Sequence, residues 1–222
     1  IRGAILKDAD LTRATLTRAN RLGFAVTNSD VNLNGANLTG AYLDGANLDG
    51  AHLIGTNLTK ANLDDAFLAW ADLKGANLSW AYMFAAKLGG SDLTGADLRY
   101  ANLTKAYMVD TILKDADLRH ATLTDANLTG AQLEGANLEG VLKTANLTGL
   151  DLTWLDLSGF DLTETKLKGA NLSGLDLSGL DLAGADLTGA NLRKANLSGA
   201  RLIGANLNGA FLSGAHLNEA NL

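Results

Sequence analysis

The chain has 222 residues, with 18 basic and 24 acidic side chains and a formal net charge of −6 at pH 7. It contains no cysteine, which excludes disulfide bonds, thiolate catalysis and cysteine-ligated zinc. Its longest apolar runs are only a few residues, as at 81–86, so we expect no membrane insertion.

The N-terminal segment is basic, with five basic and two acidic side chains in residues 1–24, whereas residues 25–222 hold 13 basic and 22 acidic ones. A break in the regular leucine spacing lies near 19–32, beside three arginines: Arg13, Arg18 and Arg21. It is either a docking loop or a tolerated insertion with a solvated edge. Since phosphate binding needs a clustered basic face, we expect no direct nucleic-acid binding.

Leucine recurs every fifth residue from Leu33 to Leu138 and from Leu142 to Leu222, with Met83 and Met108 filling the same slot. A period of five fits neither a helical face, at about 3.6, nor a strand, at about 2, so the chain must turn at each repeat. Alanine stands two residues earlier in 18 of the 22 slots from Val31 to Ala136. Both slots are predicted to face inward in a solenoid of stacked repeats.

The residue before the leucine is usually Asn or Asp, as in Ala36-Asn37-Leu38-Thr39-Gly40 and Ala96-Asp97-Leu98-Arg99-Tyr100. This A-(D/N)-L-x-x pattern resembles the pentapeptide-repeat family from about Ala4 to the last residue. The resemblance implies an all-β fold, a right-handed quadrilateral parallel β-helix of about 11 coils with four pentapeptides each. We predict a single solenoid domain over 1–222, with register breaks near 19–32 and 139–142.

In such coils, residues twenty apart lie above one another. This predicts a column of short polar side chains that satisfy backbone groups or pair along the stack, namely Asn37, Asn57, Asn77, Asp97, Asp117 and Asn137. An outward column contains Lys60, Trp80, Tyr100 and His120. With other aromatic residues of the same coils it forms a candidate protein-interaction surface of Lys60, Trp70, Trp80, Tyr82, Tyr100, Tyr107 and His120. The alternative is that the rings only stabilise the stack.

Beyond the break near 139–142, bulky side chains replace alanine in the small inward slot at Leu150, Leu155, Phe160, Leu175 and Leu180. A buried apolar ligand could use such a change of cross-section. Large side chains fill space instead of leaving it, however, so we expect a repacked core without a cavity.

The pattern offers no catalytic, cofactor-binding or metal-binding residues. His52, His120 and His216 are not separated by multiples of twenty, so no column brings them together as metal ligands. The carboxylates occupy outer slots of a convex surface, without a cleft that would raise a pKa. We therefore expect neither a cofactor nor enzymatic activity.

Two functions remain open. One is a non-enzymatic structural or interaction scaffold, a rigid rod that presents outward side chains to a protein partner of unknown identity. The other follows from the resemblance, because some pentapeptide-repeat proteins are DNA mimics that bind type II topoisomerases and protect them from quinolones. B-DNA carries about one negative charge per 1.7 Å, so a net charge of −6 makes the mimicry weak.

The two ends of the chain are predicted to be open. No capping helix is recognisable in Ile1–Leu11 or Gly209–Leu222, so either capping segments lie outside this sequence or the ends associate with one another at high concentration. Neither a signal peptide nor a transmembrane segment is visible, so we expect a soluble protein, cytoplasmic by default, although the sequence leaves the compartment open.

Overall fold

A computed structural model describes residues 31–138, 141, 146–158 and 160–222. Its regular structure consists of isolated parallel β-bridges alternating with two-residue turns, and no helix occurs in these ranges. Each bridge joins a residue to the one twenty positions later, as in Asn37 with Asn57. The expected all-β character and the twenty-residue coil are therefore confirmed for the described part of the chain.

The described residues form two compact units, one in 31–127 and 131–138 with Val141, the other in 128–130 and 146–222. In the first unit, the bridges form four columns that begin at Asn32, Asn37, Tyr42 and Asn47. Four columns also occur in the second unit, beginning at Asn146, Asp151, Asp176 and Asp181. Four columns per coil give each coil four sides.

The two predicted register breaks are almost entirely outside the described residues. Only Val31 and Asn32 of the first break and Val141 of the second are described. Val141 is buried, and its N–H donates to the carbonyl of Leu138 at 3.1 Å. The single domain over 1–222 stays a prediction, as do the arginine-flanked docking loop and its alternative.

The leucine and alanine slots form the core, as predicted. In the first unit, the leucines and methionines of the frame from Leu33 to Leu138 are at most 6 % exposed. Burying one such side chain contributes on the order of 1.5 to 3 kcal/mol. A single repeat has nothing to bury its leucine against, so the leucines become buried only when the coils stack.

Polar residues in the alanine slot keep their hydroxyl groups bonded to the backbone. Thr56 donates to the carbonyl of Leu33 at 2.8 Å, and Ser91 donates to the carbonyl of Leu88 at 2.7 Å. Thr111 donates to the same Leu88 carbonyl at 3.0 Å. The slot therefore accepts a small polar side chain when a carbonyl of the same or the preceding coil lies within reach.

Thr165 differs from these residues, because its hydroxyl is buried and has no hydrogen-bond partner among the described residues. Leaving a buried hydroxyl unsatisfied costs about 1 to 3 kcal/mol. We expect Thr165→Ala to raise the free energy of unfolding by about 1 kcal/mol in urea denaturation. Thr56→Ala, which removes a satisfied hydroxyl, is the control and should not stabilise the protein. An equal decrease in the free energy of unfolding in both variants would contradict the expectation.

The turn that closes each repeat is held in two ways. The N–H of the next inward residue donates to the leucine carbonyl, as from Ala76 to Leu73 at 3.0 Å. The Asn or Asp side chain also accepts the N–H two residues on, as Asn37 does from Thr39 at 3.1 Å. The polar column thus satisfies backbone groups, the first of its two predicted roles.

The polar side chains of the second unit also pair along the stack. The amide nitrogen of Asn191 donates to the Asn171 side-chain oxygen at 2.9 Å. Asn171 in turn donates to a carboxylate oxygen of Asp151 at 3.2 Å. Pairing along the stack therefore occurs in the column of Asp151, Asn171 and Asn191, because Asn has both an acceptor and a donor. For the predicted column that begins at Asn37, this second role stays a prediction.

From Gly35 to Gly135, the fifth residue of each repeat adopts a left-handed conformation. Every fifth residue from Gly35 to Gly135 has a positive φ, between 53° and 72°. Glycine takes this conformation freely, whereas a side chain in it costs roughly 1 to 2 kcal/mol. Outward side chains at this position are therefore held under backbone strain by the repeat.

The bulky residues of the second unit only partly follow the expectation. Leu150 and Leu155 are buried, but Phe160, Leu175 and Leu180 are half-buried. The adjoining Asp156 and Asp161 have no β-bridge, although the pattern of the fold would place one at each. The missing bridges are those between the coil of Leu155 and Phe160 and the coil of Leu175 and Leu180, both of which carry bulky residues in this slot. Asp151, Asp176 and Asp181, which follow Leu150, Leu175 and Leu180, are still bridged to the next coil. Two large side chains in successive coils need more room than a stack of alanines leaves.

Candidate protein-interaction surface

The first unit has four faces, each between two turn columns, and we name each face after one of its residues. The Trp80 face comprises 40–45, 60–65, 80–85, 100–105 and 120–125, and the Trp70 face comprises 45–50, 65–70, 85–90 and 105–110. The Lys74 face comprises 50–55, 70–75, 90–95 and 110–115, and the Arg99 face comprises 55–60, 75–80, 95–100 and 115–120.

Three rings stack along the turn column at the edge of the Trp80 face. The centroids of Trp80 and Tyr100 are 4.3 Å apart with an angle of 10° between the planes. Those of Tyr100 and His120 are 4.9 Å apart with an angle of 21°. Trp80 is nevertheless 52 % exposed and Tyr100 44 % exposed. The sequence prediction that these residues share an outward column is correct, and Lys60 precedes them in it.

All three stacked residues occupy the strained turn position. Trp80, Tyr100 and His120 each have a φ of 61°, where many other repeats have glycine. A bulky side chain in the left-handed region is uncommon, and such strain concentrates at functional sites. Stacking offsets part of the strain, since aromatic pairs contribute about 0.5 to 1.5 kcal/mol beyond burial.

A second column of side chains runs through the middle of the Trp80 face. Parallel bridges connect Tyr42, Asn62, Tyr82 and Asn102 in that order. Tyr42 and Tyr82 are both more than half exposed and have the short Asn62 between them. The result is an open cleft of about 520 Å³, lined by Gly40, Tyr42, Lys60, Asn62, Asp64 and Tyr82.

Hydrogen bonds fix the polar groups in and beside this cleft. The side-chain oxygen of Asn62 accepts the N–H of Asp64 at 3.0 Å. Asp64 in turn accepts the N–H of Phe84 at 2.8 Å with a carboxylate oxygen. The ammonium of Lys105 lies 5.7 Å from the centroid of the Phe84 ring, within the range of a cation–π contact. Phe84 therefore belongs to the same surface.

The structure divides the seven predicted surface residues between two faces. Tyr82 lies on the Trp80 face, and Lys60, Trp80, Tyr100 and His120 lie along the edge that this face shares with the Arg99 face. Tyr107 lies on the Trp70 face, and Trp70 lies at the edge that this face shares with the Lys74 face. The Trp70 ring covers a glycine of the next coil, and the Tyr107 ring covers one of the preceding coil. A Cβ atom on Gly90 would lie 2.5 Å from the Trp70 ring, and one on Gly89 would lie 3.0 Å from the Tyr107 ring.

The candidate surface omitted three residues of the Trp80 face. Tyr42 lies two coils before Tyr82 in the same column, so the spacing of twenty could have found it. Phe84 lies in the same coil as Tyr82 but is not among the residues of the predicted surface. Lys105 contacts Phe84 from the next coil. No pattern in a single sequence marks this contact, because it depends on the path of a long side chain.

The other two faces of the first unit carry paired charges. Lys74 contacts Asp92 at 2.9 Å on the Lys74 face. On the Arg99 face, Arg99 contacts Asp97 at 2.7 Å, and a side-chain hydrogen bond from Arg99 lowers the pKa of Asp97. Exposed pairs of this kind contribute about 0 to 1 kcal/mol each. They satisfy their own charges and leave the two aromatic faces as the distinctive surfaces.

The structure offers no constellation for metal chemistry in the part of the chain that it describes. No group of three or more histidine, aspartate or glutamate side chains there is placed to hold a metal ion. His120 belongs to the aromatic stack, with its ring on Tyr100. Among the same residues, no helix is long and apolar enough to cross a membrane.

Comparison with known proteins gives a consistent result. The family model for pentapeptide repeats matches in eight copies, which together cover residues 1–24, 29–140, 145–182 and 195–222. No curated protein sequence matches the chain.

Several solved structures are similar to the chain. HetL, a pentapeptide repeat protein involved in heterocyst differentiation regulation from the cyanobacterium Nostoc sp. strain PCC 7120, is 32% identical, with 100% of this chain and 88% of HetL covered and a TM-score of 0.37. A pentapeptide repeat protein of the Arabidopsis thaliana thylakoid lumen is 33% identical over 43% of this chain and 66% of its own, with a TM-score of 0.42. QnrB1, a plasmid-mediated fluoroquinolone resistance protein, is 21% identical over 82% of this chain and 89% of its own, with a TM-score of 0.36.

Proposed function

Because the chain belongs to the pentapeptide-repeat family, we propose that it is a non-enzymatic scaffold that binds a partner protein through the Trp80 face. The observation that carries the proposal is the stack of Trp80, Tyr100 and His120, three exposed rings at a turn position that favours glycine. Exposed tryptophan and tyrosine are typical anchors of protein interfaces. The presence of bulky rings at a strained turn position favours a functional role for them, because the turn by itself does not require them.

The rigidity of this face supports the same function. The main chain beneath it is bonded from coil to coil, as by the N–H of Trp80 to the carbonyl of Arg99 at 2.9 Å. Stacked rings on a fixed backbone lose little conformational freedom when a partner covers them, so less of the binding energy is spent on ordering. Lys60 has no ion pair among the described residues and adds a positive charge at the edge of the face.

The alternative is DNA mimicry toward a type II topoisomerase, and the charges give it less support. Mimicry needs a dense row of unpaired negative charges, about one per 1.7 Å. The net charge is only −6, and carboxylates on two faces of the first unit are paired with Lys74, Arg99 and Arg119. The similarity to QnrB1 concerns the fold alone. A scaffold with an aromatic docking face therefore remains the function that we propose.

The finer points of the fold remain proposals as well. The right-handed winding and the number of about 11 coils rest on the family resemblance. End-to-end self-association rests on the absence of a recognisable capping helix in the sequence.

The proposal predicts that removing the two largest stacked rings abolishes partner capture. Trp80→Gly/Tyr100→Gly is the variant of choice, because glycine relieves the positive φ of 61° while removing the rings. We expect the intact protein to retain a specific partner from source-cell lysate, identified by mass spectrometry. The double variant should retain it at least roughly tenfold less.

The matched control changes the same turn position on other faces. Asp110→Gly/Asp115→Gly also replaces two left-handed residues, with φ of 56° and 55°, by glycine but leaves the Trp80 face intact. This variant should capture the partner as well as the intact protein does. Equal capture by a folded Trp80→Gly/Tyr100→Gly variant, or no specific partner for the intact protein, would contradict the proposed function.

A further inference from the structure

We infer that the partner segment bound by the Trp80 face is proline-rich and extended in the polyproline II conformation, with prolines three residues apart. This inference rests on the proposed function and specifies the chemistry of the partner. Three observations on the middle column of the face carry it. They are the spacing of the hollows over its short side chains, the outward direction of its side-chain hydrogen-bond donors and the hydrogen bonds that its backbone already makes.

The spacing of the hollows matches one turn of a polyproline II helix. Along the column, the short Asn62 and Asn102 lie on either side of the large Tyr82 and leave a hollow over each. The hollow over Asn62 is closed on its far side by Tyr42, whereas the one over Asn102 is open toward the small Thr122. These two asparagines are two coils apart, or about 9.6 Å at the usual strand spacing. A polyproline II helix rises about 9.3 Å in one turn of three residues. Two prolines three residues apart would therefore lie over successive hollows.

The asparagine side chains of these hollows offer donors, which such a segment requires, while the Asp64 carboxylate beside the first hollow accepts the N–H of Phe84. The oxygen of Asn62 accepts the N–H of Asp64, and the oxygen of Asn102 accepts the N–H of Thr104 at 3.1 Å. Each bond uses the side-chain oxygen and leaves the NH₂ group to face outward. A polyproline II segment has unpaired carbonyl acceptors, and its prolines have no N–H. Side-chain donors are thus complementary to it.

The backbone of the face is already engaged, so an added β-strand is not a suitable partner. The N–H of Asn62 donates to the carbonyl of Ala41 at 2.8 Å, and its carbonyl accepts the N–H of Leu43 at 2.7 Å. Recognition must therefore use side chains. Aromatic-lined grooves that take the rings of a proline-rich segment are the peptide-binding mode that works in this way.

The borders of the hollows favour the same ligand. The stacked rings of Trp80 and Tyr100 lie along one edge of the face, and Phe84 lies on the other side of the middle column. Tyr42 and Tyr82 line a cleft with Asn62 between them, which suits the insertion of a ring between side chains. The ammonium of Lys60, which has no ion pair with any residue that the structure describes, lines this cleft too, so an acidic residue next to the prolines would pair with it.

The test uses synthetic peptides and isotope-labelled protein. The probes are an array of fluorescein-labelled peptides with prolines three residues apart and an aspartate or glutamate at either end. Glycine-serine peptides of equal charge and cellohexaose serve as comparison ligands. We expect saturable binding of proline peptides in fluorescence polarisation. We also expect NMR shifts confined to the indole N–H of Trp80 and the side-chain amides of Asn62 and Asn102.

Matched variants separate this site from the rest of the surface. Tyr82→Asn introduces the residue found elsewhere in the same column and should weaken peptide binding roughly tenfold or more. Tyr107→Asn makes the same change on the Trp70 face and should leave binding unchanged. Binding of no peptide in the array, binding that survives Tyr82→Asn, or binding of cellohexaose in preference to the peptides would overturn the inference.

The two proposals can fail separately. If lysate capture depends on Trp80 and Tyr100 but the best proline peptide does not displace the captured protein, the scaffold function stands and the proline-rich segment is wrong. If the peptide displaces the captured protein, both are supported. If neither capture nor peptide binding depends on the face, both are wrong.

Discussion

Leu98→Ala is expected to lower the free energy of unfolding of the first unit by about 2 to 5 kcal/mol. Leu98 is 0% exposed and lies between Leu78 and Leu118 of the neighbouring coils, which are equally buried. Truncation removes apolar contacts and leaves a cavity. The bridges on either side, which join Asp97 to Asn77 and to Asp117, hold the coils at a fixed spacing and oppose collapse around it.

The measurement is urea denaturation followed by far-ultraviolet circular dichroism. Leu98→Met is the control, because Met83 and Met108 occupy the same slot elsewhere and are 0% exposed. The methionine variant should lower the free energy of unfolding by less than about 1.5 kcal/mol. A loss below about 1 kcal/mol for Leu98→Ala would mean that the coil relaxes around the missing side chain and that the stack is less rigid than its bridges indicate.

Ala96→Leu should destabilise the first unit by about 1 to 3 kcal/mol and loosen the adjoining bridges. Ala96 is 1% exposed, so a larger side chain has no room unless the backbone moves outward. In the second unit, Asp156 next to Leu155 has no bridge, whereas Asp151 next to Leu150 keeps one, so a single bulky side chain should loosen the adjoining bridges without removing all of them. In the first unit, the N–H of Asp97 donates to the carbonyl of Ala76 at 2.9 Å and would be the first bond affected.

Hydrogen exchange at the Asp97 amide measures this loosening directly and should accelerate in Ala96→Leu. Ala96→Ser is the matched control, because Ser91 fits the same slot and donates its hydroxyl to the Leu88 carbonyl at 2.7 Å. The serine variant should keep both the stability and the slow exchange. Unchanged exchange in Ala96→Leu would show that the alanine slot has spare volume.

Much of the candidate surface could be predicted because residues twenty apart in the sequence lie in the same column of the structure. This spacing placed Trp80, Tyr100 and His120 together, and their rings do stack. The same spacing would have placed Tyr42 in the same column as Tyr82. The spacing could not separate Trp70 and Tyr107 from the residues of the Trp80 face. That separation requires knowing which two turn columns form the borders of each face.

Other features depend on contacts that no repeat rule contains. The Trp70 ring lies over Gly90, and the Lys105 ammonium lies over Phe84, because these long side chains cross from one coil to the next. The partial exposure of Phe160 and Leu175 was not expected either. Their sizes were visible in the sequence, but the response of the backbone to them was not.

The sequence by itself determined the core of this protein and the order of its columns. A leucine every five residues, preceded by alanine, fixes which side chains point inward, because that choice depends on local backbone geometry and burial. Only the tertiary structure decided the positive φ of the turn residues, the division of the aromatic residues between two faces and the pairing of charges on the others. These features depend on hydrogen bonds and side-chain contacts between residues of successive coils, so they exist only once the coils have stacked.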